Sequence, residues 1–162
     1  MVTRDAPRLP SSKVMDLEAA RAWRTGVRGA VVFTNGVFDL LHLGHVSILD
    51  TSRREGAALI VGLNSDASVQ RLKGSGRPVH TSAERALVLA ALEAVDAVIV
   101  FDEDTPLELV TALEPDVIVK GGDYTPDTIV GADIVTARGG RVVVVPLVEG
   151  QSTTSTIERM RE

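Results

Sequence analysis

Five short runs of branched apolar residues recur along the chain: AVVFTN (30–35), AALIVGL (57–63), AVIVF (97–101), DVIVK (116–120) and RVVVVPL (141–147). Each is followed by a polar loop and then by a segment with helix signals. The runs are apolar nearly throughout rather than alternating, which suits strands covered on both faces in a parallel sheet. Strand–helix alternation of this kind predicts an α/β architecture, an open, doubly wound, five-stranded parallel sheet with right-handed crossovers.

The segments between the runs carry start signals for helices. One helix is expected over about 43–55. A second starts at TSAE (81–84), where Thr81 and Glu84 make a capping box. A third starts at TPLE (105–108), with Thr105 as cap and Pro106 in the first turn. A shorter one is expected over about 129–138, and a last one begins near STTS (152–155). Before the first strand, the sequence predicts a loose arm over 1–12 and a helix over 13–27. The whole, 1–162, reads as one domain, since 162 residues with 44% apolar content suffice for a single core.

Composition removes several classes of function. There is no cysteine, so disulfides and thiolate chemistry are excluded. The net charge of −5 argues against a nucleic-acid partner. No apolar run approaches a membrane span and the N-terminus lacks the apolar core of a signal peptide, so the expectation is a cytoplasmic protein without a membrane partner. Three common site signatures are missing: GxxxxGK[ST], a GxGxxG after the first strand, and GxSxG.

In a doubly wound sheet, ligands bind beyond the carboxyl ends of the strands at the point where the strand order reverses. The loops there are NGVFDLLHLGH, NSDASVQRLKGSGRP, FDEDTP, KGGDYTP and VEGQSTTS. The first is the most informative. It holds two of the chain's three histidines, His42 and His45, between Gly36 and Gly44. Both fall near a helix start, where free backbone N–H groups favour an anion. Imidazoles there could donate to phosphate oxygens and stabilise charge on a transferring phosphoryl group. A metal site would need a third ligand, for which Asp39 is the nearest carboxylate, and purely structural histidines are the plainer alternative. Asp39 suits a turn as well as a ligand contact, and Phe38 reads as packing.

GVFDLLHLGH resembles the GxFDxxHxGH signature of a nucleotidyltransferase superfamily that includes cytidylyltransferases and pantetheine-phosphate adenylyltransferases. STTSTIERMR (152–161) resembles that superfamily's second signature, a Ser/Thr-rich start of a late helix. Over 28–162, GLNSDASVQRLKGSGRPV, AERALVLAALEAVDAVIVFDEDTP, VIVKGGDYTPDTIVGADIV and GQSTTSTIERM look like the adenylyltransferases of ADP-heptose synthesis. In some bacteria that domain is fused to a sugar kinase. No kinase segment occurs in these residues, so a stand-alone form is expected.

The resemblance implies a Rossmann-like nucleotidyltransferase fold, with ATP, magnesium and a sugar 1-phosphate as reactants, ADP-heptose and pyrophosphate as products, and a homodimer. It implies that His42, His45, Lys73 and Lys120 do the catalytic work. It places Asn35, Gly36, Phe38, Gly44, His45, Lys120, Ser152, Thr153 and Thr154 at the nucleotide, and Asp66, Arg85 and Asp123 at the substrate. Each has a plainer alternative. Lys73 and the weaker candidate Arg77 lie in a Gly-rich loop that reads as mobile. Lys120 could sit in a surface ion pair, Arg85 in a salt bridge with Glu84 or Asp102, and Asp123 in a turn. One of Ser152, Thr153 and Thr154 is expected only to cap the helix. Asp66 and Asp104 could orient sugar hydroxyls or cap, His80 reads as structural, and Arg159 as solvent-facing. Recognition of the base is expected from backbone near VVVVPLVEG. The metal ligand is not identified by the sequence. The chemistry fits, because a phosphate monoester has a second pKa of about 6 and needs no strong base to act as nucleophile. The alternative reaction is cytidylyl transfer to glycerol 3-phosphate or a similar polyol phosphate.

Overall fold

The computed structural model describes residues 6–122 and 124–161. Five parallel strands form one sheet: β1 (Val31–Gly36), β2 (Ala58–Asn64), β3 (Ala97–Phe101), β4 (Val117–Gly121) and β5 (Arg141–Val145). Their order is β3-β2-β1-β4-β5, with every neighbouring pair parallel. The chain steps outward from β1 to β3, then returns to the other side of β1. The order therefore reverses between β1 and β4, and a cleft is expected beyond their carboxyl ends.

The branched runs form strands because both faces are buried. Val31, Phe33, Ile60, Ile99 and Ile118 point to one side, where α2 (Leu17–Thr25), α6 (Leu107–Leu113) and α7 (Ala132–Ala137) cover them. Val32, Leu59, Val61, Leu63, Val98, Val117 and Val119 point to the other, under α3 (Leu43–Arg54) and α5 (Ser82–Ala91). Fully burying one such side chain contributes about 1.5–3 kcal/mol, so the period-two alternation of faces supplies the main driving force for the sheet.

Several boundaries differ from expectation. A short helix, α1 (Pro10–Lys13), occupies the end of the expected loose arm, and residues 1–5 lie outside the described part. Val14 then bridges to Val98 of β3, and Met15 N–H donates to Val98 C=O at 2.9 Å. The next helix therefore starts only at Leu17, capped by Asp16, whose carboxylate accepts from Ala19 N–H at 2.8 Å. The capping box of α5 forms as the sequence indicates: Thr81 and Glu84 satisfy each other's backbone N–H. At α6, Pro106 rather than Thr105 is the boundary, with no side-chain cap. Of the helix expected over 129–138, only α7 forms, and a 3-10 turn at Pro126–Thr128 precedes it. One helix was not expected at all: α4 (Asp66–Lys73) lies within NSDASVQRLKGSGRP, capped by Ser65, which accepts from Ser68 N–H at 3.0 Å. The last helix is α8 (Thr153–Arg161). Among the described residues, no helix is long and apolar enough to cross a membrane.

Candidate active site

Beyond the carboxyl ends of β1 and β4 lies a cleft of about 370 Å³. Asn35 and Gly36 from β1, Lys120 and Gly121 from β4, and Phe38, Asp39, His42, Gly44 and His45 from the loop into α3 form one side. Lys73, Arg77, Pro146, Leu147, Val148, Ser152, Thr153 and Thr154 complete it. Segments far apart in sequence thus meet where the strand order reverses.

The histidine loop is built tightly. Phe38 adopts φ 44, a left-handed backbone that costs a non-glycine residue of order 1 kcal/mol or more. Its ring settles over Gly36, where an added Cβ would lie 3.0 Å from Phe38 Cε2. His42 caps α3: its Nδ1 accepts from Gly44 N–H at 3.1 Å, and a Cβ on Gly44 would sit 2.9 Å from His42 Cε1. The HxGH spacing therefore needs glycine for close packing of that cap. Because Nδ1 accepts, the neutral His42 ring carries its proton on Nε2, which is left to donate.

His45 stacks on His42 with ring centroids 3.8 Å apart and leans against Phe38 at 5.2 Å. Its Nδ1 is buried with no hydrogen-bond partner. Burial, and then repulsion from His42, push its pKa down to about 4, against a smaller opposing pull from the Leu40 carbonyl. Burial also holds His42 below the ordinary histidine value. Near neutral pH the pair is uncharged, and a neutral imidazole can still donate an N–H to an anion.

This makes a pH prediction. In the unfolded chain His45 titrates near about 6.5, and in the folded chain near about 4, so between these values the unfolded chain binds the extra proton. Its stabilising contribution is complete above about pH 6.5 and drains away as the pH falls towards about 4. A ring-proton NMR titration of His45 is expected to show a midpoint near about 4, and His45→Gln should flatten the fall in Tm across that range. A midpoint near the ordinary value would contradict the burial argument.

Lys120 faces the cleft with Nζ 3.3 Å from Asn35 Oδ1 and 5.7 Å from the centre of the Tyr124 ring. Burial lowers its pKa, and among the described residues no carboxylate pairs with it. The surface ion pair considered from sequence is not seen among the described residues. Lys73, exposed at the end of α4, lines the same cleft and a second one. At α8, Ser152 is the cap: its Oγ accepts from Ser155 N–H at 3.0 Å. Thr153 Oγ1 donates to Leu40 C=O at 3.2 Å, tying the helix start to the histidine loop. The exposed Thr154 has no hydrogen-bond partner for its hydroxyl among the described residues, so it is the freest of the three to meet a ligand.

Four of the residues named from sequence are engaged by the protein itself. Asp39 is a clamp, with both oxygens spent on Val79 N–H and His80 N–H and on Arg77 Nε at 2.8 Å. Burial alone would raise its pKa, but the His80 and Val79 N–H groups and Arg77 outweigh it and hold it below the usual carboxylate value. Arg77 is thereby engaged, and the half of the Gly-rich loop read as mobile that follows it is anchored. Arg85 does not line the cleft and does not pair with Glu84 or Asp102. It is 2% exposed, and its guanidinium donates to Val37 C=O, Asn64 C=O, His80 C=O and Asp66 Oδ1. Asp66 is accordingly held by Arg85. Of the remainder, Asp104 pairs with Arg71 at 2.9 Å, His80 lies half exposed near Glu84, and Arg159 folds back on its own helix. Asp123 lies outside the described residues.

Among the described residues, no group of three His, Asp or Glu side chains could hold a metal. The cleft's Asp39 is consumed by Arg77 and two N–H groups. These residues fit a magnesium ion carried by the triphosphate and water, as that ion prefers, rather than one caged by protein.

Sequence reasoning missed Tyr124, which lines both the first cleft and an adjoining one of about 420 Å³ that also takes in Asn35, Asp104, Lys120 and Thr128. Its position in the KGGDYTP loop was visible, but nothing in the pattern marks which way a ring turns. Pro146, Leu147 and Val148 do line the cleft, at the segment expected near the base.

A parallel sheet reversing at β1/β4, with imidazoles, a half-buried lysine and a helix start converging on one cleft, defines a nucleotidyltransferase. The chain belongs to the cytidylyltransferase-like family, whose model matches residues 33–159. It is 62% identical over 130 residues to the bifunctional protein HldE of Syntrophotalea carbinolica, covering 80% of this chain and 26% of that protein. It is 63% identical over 132 residues to HldE of Mesorhizobium japonicum, covering 82% and 27%. The chain thus spans about a quarter of these relatives. Among solved structures, a lipopolysaccharide core biosynthesis protein from Thermoplasma volcanium superposes with TM-score 0.60 at 28% identity, covering 76% of this chain and 100% of that one. Pantoate-beta-alanine ligase from Francisella tularensis shares the fold with TM-score 0.61 at 13% identity, covering 82% and 66%.

Proposed function

We propose that this chain, acting as one domain, transfers AMP from ATP to heptose 1-phosphate, giving ADP-heptose and pyrophosphate. The observation that carries the reading is the convergence of the stacked histidines, Lys120 and the start of α8 on one cleft. The bifunctional HldE relatives and the lipopolysaccharide-core structural relative favour a sugar-nucleotide product.

The nucleotide's phosphates lie between the histidine loop and α8, with Thr154 and the free N–H groups of the helix start facing them. The base sits along Pro146–Val148. The sugar phosphate enters from the adjoining cleft, with its phosphate near Lys120 and Lys73, which line both. One of its oxygens attacks the α-phosphorus in line. As that P–O bond forms, the bond from the α-phosphorus to the β-phosphate bridge oxygen breaks, and pyrophosphate leaves with the electron pair. Two anions must meet, so the protein's task is to neutralise and align them. Lys120 screens the incoming charge, and His42 and His45 donate to oxygens that gain charge in the transition state. Magnesium on the triphosphate supplies further charge neutralisation.

The test is pyrophosphate release from a matrix of nucleoside triphosphates against heptose 1-phosphate, other sugar 1-phosphates and glycerol 3-phosphate, with and without magnesium. Release with ATP, heptose 1-phosphate and magnesium together is expected. Release with CTP and glycerol 3-phosphate would establish the cytidylyltransferase alternative instead. A protein that binds ATP but turns over with no acceptor would be a binding module, and the proposal would fail.

A further inference from the structure

We propose that Tyr124 forms the aromatic wall against which the sugar ring of the acceptor packs, an inference that rests on the sugar-phosphate reading above. The ring stands at the junction of the two clefts and lines both. It lies half exposed, with Lys120 Nζ 5.7 Å from its centre. Its back is supported by Gly122, where an added Cβ would lie 3.2 Å from Tyr124 Cε2. The Lys120 cation thus stands over one face of the ring and the Gly122 backbone lies against its Cδ2–Cε2 side, while about half of the residue stays exposed.

The chemistry matches a sugar phosphate in two parts. A lysine beside the ring holds the phosphate, and an aromatic surface takes the C–H face of the sugar while its hydroxyls turn towards polar groups. Asp104 and Thr128 line the adjoining cleft and supply such groups. Ile129 and Val130 add apolar surface to the same cleft. A half-exposed aromatic ring with a cation over one face suits a neutral ring bearing an anionic tail.

The chain contains one tyrosine, so its ring protons form a single, unambiguous NMR spin system. With magnesium and a non-hydrolysable ATP analogue bound, adding heptose 1-phosphate is expected to shift those resonances and move the sugar's own protons upfield. In turnover, Tyr124→Ala is expected to raise KM for the sugar phosphate about tenfold while leaving KM for ATP within about twofold. Tyr124→Phe keeps the ring and should restore near-normal KM, whereas Tyr124→Leu, which keeps bulk without the ring, should not. A merely structural role would move both KM values together and would be rescued by leucine.

If heptose 1-phosphate turns over but leaves the tyrosine resonances and the alanine variant's KM unchanged, the inference is overturned and the functional reading stands. If no sugar phosphate in the matrix turns over, the reading itself falls, and the inference with it.

Discussion

Arg85→Ala is expected to lower the free energy of unfolding by about 3–5 kcal/mol, read by urea denaturation with the single tryptophan, Trp23, as probe. The side chain is fully enclosed, and it ties the ends of β1 and β2 to the loop before α5. Its donors reach Val37 C=O at 2.7 Å, Asn64 C=O at 2.9 Å and His80 C=O at 3.0 Å. Truncation would strand these carbonyls and open a hole where a long side chain packed. The partner carboxylate matters less, because Asp66 is 40% exposed and can be solvated. Asp66→Asn should therefore cost under about 1 kcal/mol. If the two variants lose similar stability, the carbonyls are not what Arg85 serves. Arg85→Lys is expected to lose part of the same stability, since lysine cannot span three carbonyls with fixed planar geometry.

On the proposed mechanism, His45→Ala is expected to reduce kcat by about 10²–10³ while the far-UV spectrum stays native, because it removes one donor to developing negative charge. The ring's buried, unpartnered Nδ1 and its stacking on His42 describe a group already desolvated before substrate arrives. Such a group loses little solvation when the transition state forms, so most of its electrostatic effect appears in the rate. Stability should change far less, since removing an unsatisfied polar atom offsets part of the lost packing. Single-turnover pyrophosphate release, with ATP saturating, separates this from a binding defect. A loss below about fivefold would place His45 in a packing role only.

The two predictions differ in how readily the sequence discloses their basis. His45 belongs to a compact motif in which spacing, glycines and a following helix all point one way. Arg85 carries no such mark. A charged residue in a helix reads as solvent-facing or as a ligand contact, and backbone carbonyl acceptors leave no trace in residue identity. The partners of Asp39 are illegible for the same reason, being two N–H groups and an arginine in a distant loop. The strands were readable because burial on both faces forces branched apolar runs. Helix α4 was not, because it buries only one large apolar side chain, Val69, and is otherwise made of the residues that fill loops. The location of the cleft followed from topology. The way its rings and guanidinium groups turn depended on tertiary contacts with no local signature.

The short N-terminal segment has a consequence for how the molecule behaves in a crowd of its own copies. Strand β3 ends the sheet, and an uncovered outer strand is a template for another chain. Val14 and Met15 occupy part of that rim, while Lys13 Nζ binds Leu92 C=O and Val95 C=O at 3.2 and 2.8 Å and Arg8 reaches Asp96 C=O. Removing this strap would free polar backbone beside an apolar core and invite strand-to-strand aggregation, even though every group in the reactive cleft would remain in place.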